Sequence, residues 1–248
     1  MQTRVAILDV PVDDVTEDEA VMLIDGYIRS GTTNQVITLN PEFIMSAQKD
    51  TSVLHVLQQA RLSTPDGVGV LWAARLLGRP LRERVTGVAL VERLAAYGAH
   101  HGWRFFLLGS APGIAERAAT ILQQRYPGLL IAGTHAGTPH TQDEADIRFR
   151  IADTHTDILL VAYGHPNQEL WLARNLTQLR VPVGIGVGGT FDEIVGVVPP
   201  APLWMHRFGI KWLWRLLIQP SRYARIFTAV VVFPLAVLRH HWVSRIRT

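Results

Sequence analysis

The sequence predicts an α/β fold: a Rossmann-like, mostly parallel sheet with helices on both faces, plus a C-terminal helical, membrane-associating appendage. Continuous apolar segments of strand length alternate with segments of helical spacing, which is typical of strands buried on both faces. The 248 residues, 48 % of them apolar, suffice for one large domain and an extension. The net charge of +3 is unevenly spread, because eight Lys/Arg and no acidic residue follow Glu193.

The first half of the chain begins with a predicted strand at 4–10 and a helix at 17–30, where Thr16 and Glu19 form a capping box. A β-branched strand at 35–40 ends at Asn40-Pro41, and proline suits the first turn of the next helix. Further helices are predicted at 41–49, 51–60, 68–78 and 88–101.

The second half is more regular, with four apolar strands separated by three helices. The strands are predicted at 103–110, 129–135, 157–164 and 181–189, and the helices at 112–125, 141–153 and 167–180. The three prolines at 199, 200 and 202 break regular structure, so two domains are predicted, 1–195 and 196–248.

Composition and motifs exclude several classes of function. The chain has no cysteine, which excludes disulfides, thiol catalysis and cysteine-ligated zinc, and fits a reducing cytoplasm. The acidic N-terminus lacks the pattern of a secretory signal. The GIGVGG match at 184–189 lies on the last strand with no acid about 20 residues on, which argues against a dinucleotide site. No P-loop and no histidine pair with metal-ligand spacing is present.

Polar and glycine-rich segments follow several predicted strands, at the edge where parallel sheets bind ligands. Glycine turns that enter helices present backbone N–H groups to phosphates, although glycines also end strands for packing reasons alone. The segments are 38–40, 109–110, 164–168 and 188–192, and together they predict a phosphate or nucleotide site.

Asp66 lies in the Pro-Asp-Gly turn and has two interpretations. It is either a turn-former or N-cap for the helix at 68–78, or an active-site acid with Arg84 close behind. Arg84 could equally pair with Glu83, and Gln168 could simply open a helix.

Six ordered motifs resemble the WecG/TagA/CpsF family of bacterial glycosyltransferases over roughly residues 5 to 225. They are TLNPE (38–42), TPDGVG (64–69), ERVTGVAL (83–90), GHPNQE (164–169), GVGGTFDEIVG (186–196) and WLWRLLIQPSRYAR (212–225). The resemblance implies a Rossmann-like domain with a C-terminal appendage. It also implies transfer of a sugar from a UDP donor to a lipid-diphosphate-linked acceptor at the cytoplasmic face of the membrane.

The resemblance also implies roles for residues at the matching positions. Asp66 would be the general base, Thr38 and Asn40 would line its pocket, and Arg84 would face the donor. Gln168 would contact the donor, and arginines of the appendage would close over the diphosphates. The remaining predicted binding residues are Gly67, Gly109, Gly164, Gly188, Asp192, Arg215, Arg222 and Arg225.

The expected mechanism is a single displacement with inversion, without cofactor or metal. The D-x-D-like segment DVTED at 14–18 lies far from the glycine turns in sequence, so arginines are expected to neutralise the diphosphate. UDP-N-acetylmannosamine, its uronic acid and UDP-glucose are the candidate donors. A non-catalytic, membrane-bound UDP-binding scaffold and a soluble oxidoreductase are the alternatives.

The basic tail predicts peripheral attachment to the inner membrane. Residues 226–238 are 13 uncharged residues between Arg225 and Arg239, shorter than the roughly 20 that span a bilayer, and Pro234 interrupts them. An interfacial segment with arginines at anionic headgroups is expected for residues 204–248. Packing on the body or on another subunit, as in a homo-oligomer, is the alternative, and the interleaved aliphatics argue against nucleic acid.

Overall fold

A computed structural model describes residues 3–199, 202, 205 and 211–246. The chain begins with an antiparallel hairpin of β1 (Arg4–Ile7) and β2 (Val10–Asp13). Leu8 and Asp9 connect the strands with φ of 48° and 64°, the left-handed backbone of a tight two-residue turn. The prediction of one strand at 4–10 was wrong because this turn lacks the glycine or asparagine that usually marks it.

Within the part of the chain that the structure describes, six parallel strands form one sheet in the order β4-β3-β8-β7-β5-β6. This confirms the predicted parallel α/β fold. The order differs from the 3-2-1-4-5-6 order of the dinucleotide-binding Rossmann fold. The strands are β3 (Asn34–Leu39), β4 (Leu62–Pro65), β5 (Arg104–Gly109), β6 (Leu130–His135), β7 (Ile158–Ala162) and β8 (Val183–Gly186).

β4 is an edge strand that the sequence analysis missed. It is four residues long and ends in Pro65, and proline is tolerated at such an edge. The hairpin covers this edge, since the buried Asp13 carboxylate accepts from the Ser63 N–H at 2.7 Å. Arg4 pairs with Asp13 at 2.7 Å and donates to the carbonyls of Ala60 and Arg61. The hairpin therefore protects the sheet from edge-to-edge pairing.

Nine α-helices follow or join these strands in residues 17–195. The predicted capping box is confirmed, because the Thr16 hydroxyl accepts from the Glu19 N–H and the Glu19 carboxylate accepts from the Thr16 N–H. The helices are α1 (Glu17–Ser30), α2 (Pro41–Ala47), α3 (Thr51–Gln59), α4 (Val68–Leu76), α5 (Gly87–His101), α6 (Ile114–Arg125), α7 (Glu144–Ala152), α8 (Asn167–Leu179) and α9 (Thr190–Val195).

Alternate residues of the central strands enter cores on opposite faces of the sheet. Val36 of β3 packs with α1, α5, α6 and α9, whereas its neighbour Ile37 packs with α2, α3, α4 and the hairpin. β3 and β8 are adjacent, yet the helices that follow them lie on opposite faces. The carboxyl ends of these two strands therefore open a crevice, the usual ligand position in such sheets.

The C-terminal segment comprises α10 (Lys211–Ile218), a 3₁₀ turn (Pro220–Arg222), α11 (Tyr223–Phe227), a π turn (Thr228–Val232) and α12 (Phe233–Ile246). The helical path continues from Tyr223 through Pro234, so the expected interruption at Pro234 was wrong. A wider π turn comes immediately before the proline and accommodates a ring that would clash with the preceding turn of an α-helix.

This segment contains the one described helix that is long and apolar enough to cross a membrane, Tyr223–Trp242, with 20 residues. It is a candidate membrane-associating segment, longer than the 13-residue stretch indicated by the sequence. One side of it packs on the body, because Phe233 and Val237 are fully buried in the core beside α2 and α4. The predicted division between residues 195 and 196 stays a prediction.

Candidate active site

A cleft of about 360 Å³ lies at the carboxyl ends of β4, β3, β8 and β7, bordered by the C-terminal segment. Ten of the predicted site residues line it: Thr38, Asn40, Asp66, Gly67, Arg84, Gly164, Gln168, Gly188, Arg222 and Arg225. The lining also includes His165, Gly189 and Thr190 of the predicted glycine-rich segments. It further includes residues that the sequence analysis did not select as site residues: Glu42, Phe43, Val68, Thr86, Gly87, Val88, Val187, Glu193 and Trp212.

The remaining three predicted site residues are Gly109, Asp192 and Arg215. Gly109 and Asp192 are not among the described residues that line the cleft. Gly109 has a packing reason to be glycine, since a Cβ there would lie 2.8 Å from the backbone of Ala162. Asp192 lies nearby, accepting from the Ser110 hydroxyl at 3.4 Å. The Arg215 side chain lies outside the described residues.

Asp66 follows β4 and is held at the mouth of the crevice by its backbone, which donates to the Leu39 carbonyl of β3 at 2.7 Å. Its carboxylate accepts from the Gly87 N–H, the first residue of α5, at 3.4 Å. Asp66 does not cap α4, whose N-cap is Gly67 with φ of 111°. The carboxylate therefore lies at the positive end of α5, where negative charge is stabilised.

Arg84 is brought beside Asp66 by the loop that precedes α5. The Val85 N–H donates to the Pro65 carbonyl at 2.9 Å, which fixes this loop on the end of β4. Arg84 lines the cleft. Arg82 instead binds Asp14 and Glu19, and Asp18 pairs with Arg93, so Asp14 and Asp18 of the acidic segment are already paired with arginines.

Threonine hydroxyls and a glycine form the floor of the cleft. Thr86 caps α5 by accepting from the Ala89 N–H at 3.2 Å, and Thr190 donates to the Val187 carbonyl at 2.7 Å. A Cβ at Gly87 would lie 3.3 Å from the Thr190 hydroxyl and 3.5 Å from that of Thr38. α5 therefore packs closely against the ends of β3 and β8.

Asn40 has a structural task as the N-cap of α2. Its side-chain oxygen accepts from the Glu42 N–H at 2.9 Å and the Phe43 N–H at 3.2 Å. Because the cap uses this oxygen, the amide nitrogen is the group that remains for a ligand in the cleft.

Gln168 braces the two glycine turns after β7 and β8. It is almost fully buried, and its oxygen accepts from the Gly164 N–H at 3.1 Å and the Gly188 N–H at 2.9 Å. Its amide nitrogen donates to the buried Glu169 carboxylate at 2.7 Å. The sequence analysis expected the glycine N–H groups to face phosphate, but these two are already bound to a side chain.

His165 extends this buried network to α2. Its Nδ1 lies 2.9 Å from the Glu169 carboxylate, and its Nε2 forms a hydrogen bond with the Ser46 hydroxyl. The ring stacks on Phe43 with centroids 3.7 Å apart. The pattern Gly-His-Pro-x-Gln-Glu therefore folds into a brace that ties the β7 turn to the β3 turn across the crevice.

The C-terminal segment contributes two positively charged side chains, Arg222 and Arg225, to the lining of the cleft. Arg225 pairs with Glu42 of α2 at 2.6 Å, which ties this segment to the body. Burial and the neighbouring Arg225 lower the pKa of the half-buried Arg222 from its ordinary value. An anionic ligand would relieve this repulsion, and the guanidinium fork matches paired phosphate oxygens.

A carboxylate, hydroxyls and three arginines converge at the crevice of a parallel sheet. This combination defines an α/β protein whose site suits a phosphorylated ligand. The carboxylate beside the ligand can accept a proton during a reaction. The chain matches the glycosyl transferase WecG/TagA/CpsF family over residues 5–247 and belongs to that family; it is a glycosyltransferase.

Curated relatives support the same assignment. The chain is 32 % identical over 209 residues to a protein of Bacillus spizizenii strain W23, covering 84 % of this chain and 80 % of the relative. It is 31 % identical over 213 residues to one of Bacillus subtilis strain 168, covering 86 % and 82 %. It is 32 % identical over 225 residues to one of Staphylococcus aureus strain NCTC 8325, covering 90 % and 88 %. All three are named N-acetylglucosaminyldiphosphoundecaprenol N-acetyl-beta-D-mannosaminyltransferase.

Proposed function

We propose that the protein transfers an N-acetylmannosaminyl group from a UDP donor to N-acetylglucosamine linked through diphosphate to a polyprenyl lipid. The observation that carries this proposal is that Asp66, Arg84, Arg222 and Arg225 line one cleft. The names of the relatives supply the sugar and the acceptor. UDP-N-acetylmannosaminuronic acid and UDP-glucose are the competing donors.

Asp66 acts as the general base in this proposal. Its carboxylate takes the proton of the acceptor hydroxyl, and the acceptor oxygen attacks the anomeric carbon as the bond to UDP breaks. Such general-base help is worth roughly 10²–10⁴ in rate. A single displacement on an α-linked nucleotide sugar inverts the carbon and gives a β product, in agreement with the β linkage in the relatives' names.

The arginines stabilise the leaving group. Negative charge builds on the UDP phosphates as the glycosidic bond breaks, and fixed cations stabilise it most strongly where water is excluded. Arg222 is half-buried and Arg225 is held by Glu42, so both are positioned before a ligand arrives. We propose that these groups, with Arg84, replace the divalent metal used by many nucleotide-sugar transferases.

The lipid-linked acceptor requires contact with a membrane. We propose that the protein is peripheral at the cytoplasmic face of the inner membrane, and that the helix Tyr223–Trp242 lies in the interface. Its buried residues Phe233 and Val237 pack on the body, which supports an interfacial rather than a spanning position.

A donor screen tests the proposal. The full chain is incubated with each UDP-sugar and a short-chain polyprenyl-diphosphate N-acetylglucosamine, with and without EDTA, and the product is analysed by mass spectrometry. We expect turnover with UDP-N-acetylmannosamine that EDTA does not abolish. Binding of UDP without turnover of any donor would instead support a non-catalytic scaffold.

A further inference from the structure

α4 presents an exposed stripe that the proposed chemistry does not use. Val68, Trp72 and Arg75 are exposed, and their spacing of four and three residues places them on one face of the helix. Trp72 is 40 % exposed, whereas Val70, Ala73 and Ala74 on the other side are fully buried. Val68 and Trp72 together form an exposed apolar patch on a well-packed helix, which indicates a contact surface.

The stripe lies on a helix that packs against the C-terminal helix. An ideal Cβ at Gly69 would lie 3.7 Å from the ring of Phe233, so α12 packs along the flank of α4. Gly69 is about 60° around the helix from Trp72. On the side of the C-terminal helix away from Phe233, Phe227, Val231, Leu235 and Trp242 are exposed. The two stripes lie on elements that pack against each other, and we name them together the apolar rim.

The apolar rim begins inside the cleft. Val68 lines the cleft and also opens the α4 stripe, two residues after Asp66. On the other element, Arg222 and Arg225 line the cleft immediately before the exposed Phe227. An acceptor with its sugar at Asp66 and its lipid directed outward past Val68 would therefore pass along the rim.

The charges of the rim favour a lipid surface over a second copy of the chain. Arg75 of α4 and Arg239 of α12 are exposed on the two elements, and no acidic residue occurs between Gly67 and Arg82 or after Glu193. Two copies related by a two-fold axis would bring these like charges together. Anionic headgroups attract them, and tryptophan is enriched at the level of the headgroups.

We propose that α4 is a second membrane-contacting element, and that the polyprenyl chain of the acceptor leaves the cleft past Val68 and Trp72. This inference rests on the proposed function, because it assigns the path of the lipid-linked acceptor. It places part of the membrane contact on the sheet-bearing body, next to the base, and not only on the C-terminal segment.

The test compares full-length Trp72→Gln and Leu235→Gln with Phe149→Gln. Phe149 on α7 is 80 % exposed and is a matched control for loss of a surface aromatic. Each variant is measured for sedimentation with phosphatidylglycerol and phosphatidylcholine vesicles. Transfer is measured to a long-chain acceptor in vesicles and to a short-chain, water-soluble acceptor.

We expect Trp72→Gln and Leu235→Gln each to lower binding to phosphatidylglycerol vesicles and long-chain transfer by about fivefold or more, while short-chain transfer is retained. Vesicle binding by Trp72→Gln equal to wild type or to Phe149→Gln would overturn the inference. If the variants change the oligomeric state measured by sedimentation and leave vesicle binding unchanged, the rim is an interface between two copies of the chain. Absence of short-chain transfer in the wild type would count against the proposed function alone, since vesicle binding is read independently.

Discussion

Asp66 combines a backbone role with a carboxylate that lines the cleft. Its N–H holds the β4 turn on β3, and its carboxylate accepts a hydrogen bond of 3.4 Å from the Gly87 N–H. An asparagine oxygen can accept the same bond. The backbone role and the chemical role are therefore separable by one substitution.

Asp66→Asn should leave the melting temperature and UDP affinity close to those of the wild type. The turnover number should fall by roughly 10²–10⁴, because the amide cannot take a proton from the acceptor. Labelled-donor kinetics measure the loss, and calorimetry with UDP measures binding. Wild-type turnover in this variant would remove Asp66 from the role of base.

Gln168 binds the glycine turns after β7 and β8 in this structure, and the donor contact expected from the family pattern stays a prediction. Gln168→Met keeps the volume but leaves the N–H groups of Gly164 and Gly188 without their acceptor, at a cost of about 2–4 kcal/mol. We expect a lower free energy of unfolding in urea together with a raised KM for the donor. Gln178→Met, at an exposed position of the same helix, is the control and should change neither. An unchanged unfolding free energy in Gln168→Met would show that the brace is dispensable.

At the scale of elements, the 3₁₀ turn Pro220–Arg222 and the helix that follows it complete the site from outside the sheet. Arg222→Ala should reduce kcat/KM by roughly 10²–10³ with the short-chain acceptor, because a cation at the diphosphate is lost. Arg239→Ala, on the same helical path but outside the cleft lining, should leave this value within about twofold of wild type. Equal losses in both variants would mean that general positive charge, and not the position of Arg222, matters.

At the scale of the whole molecule, the C-terminal segment is part of the core as well as of the site. Removal of residues 196–248 takes away Arg222 and Arg225 and uncovers the apolar surface that Phe233 and Val237 bury. The shortened body should lack transfer activity and melt at a lower temperature than the full chain. Full transfer activity in the shortened body, measured with the short-chain acceptor, would refute the role of the arginines.

Phe233→Ala in the full chain should lower the free energy of unfolding by about 3–5 kcal/mol, because the same apolar contact with the body is lost.

Local patterns were sufficient for most elements because each carries its own signal. Apolar runs predicted β3 and β5 to β8, and the capping box marked the start of α1. The signals failed where the tertiary structure supplies what the local sequence lacks. β4 is a strand because β3 and the hairpin bind it on its two sides, and the hairpin turn uses Leu8 and Asp9 in a backbone conformation that their side chains do not indicate.

By itself, the sequence determined the parallel α/β class, the family and the residues that could react, since these depend on periodicity and on ordered motifs. Only the tertiary structure decided which of those residues share a cleft, because strands far apart in the chain are neighbours in the sheet. It directed the oxygen of Gln168 to the glycine N–H groups and joined α4 to the C-terminal helix through Phe233. The physical reason is that hydrogen-bond partners and packing neighbours are set by distances in space, on which local sequence patterns carry no information.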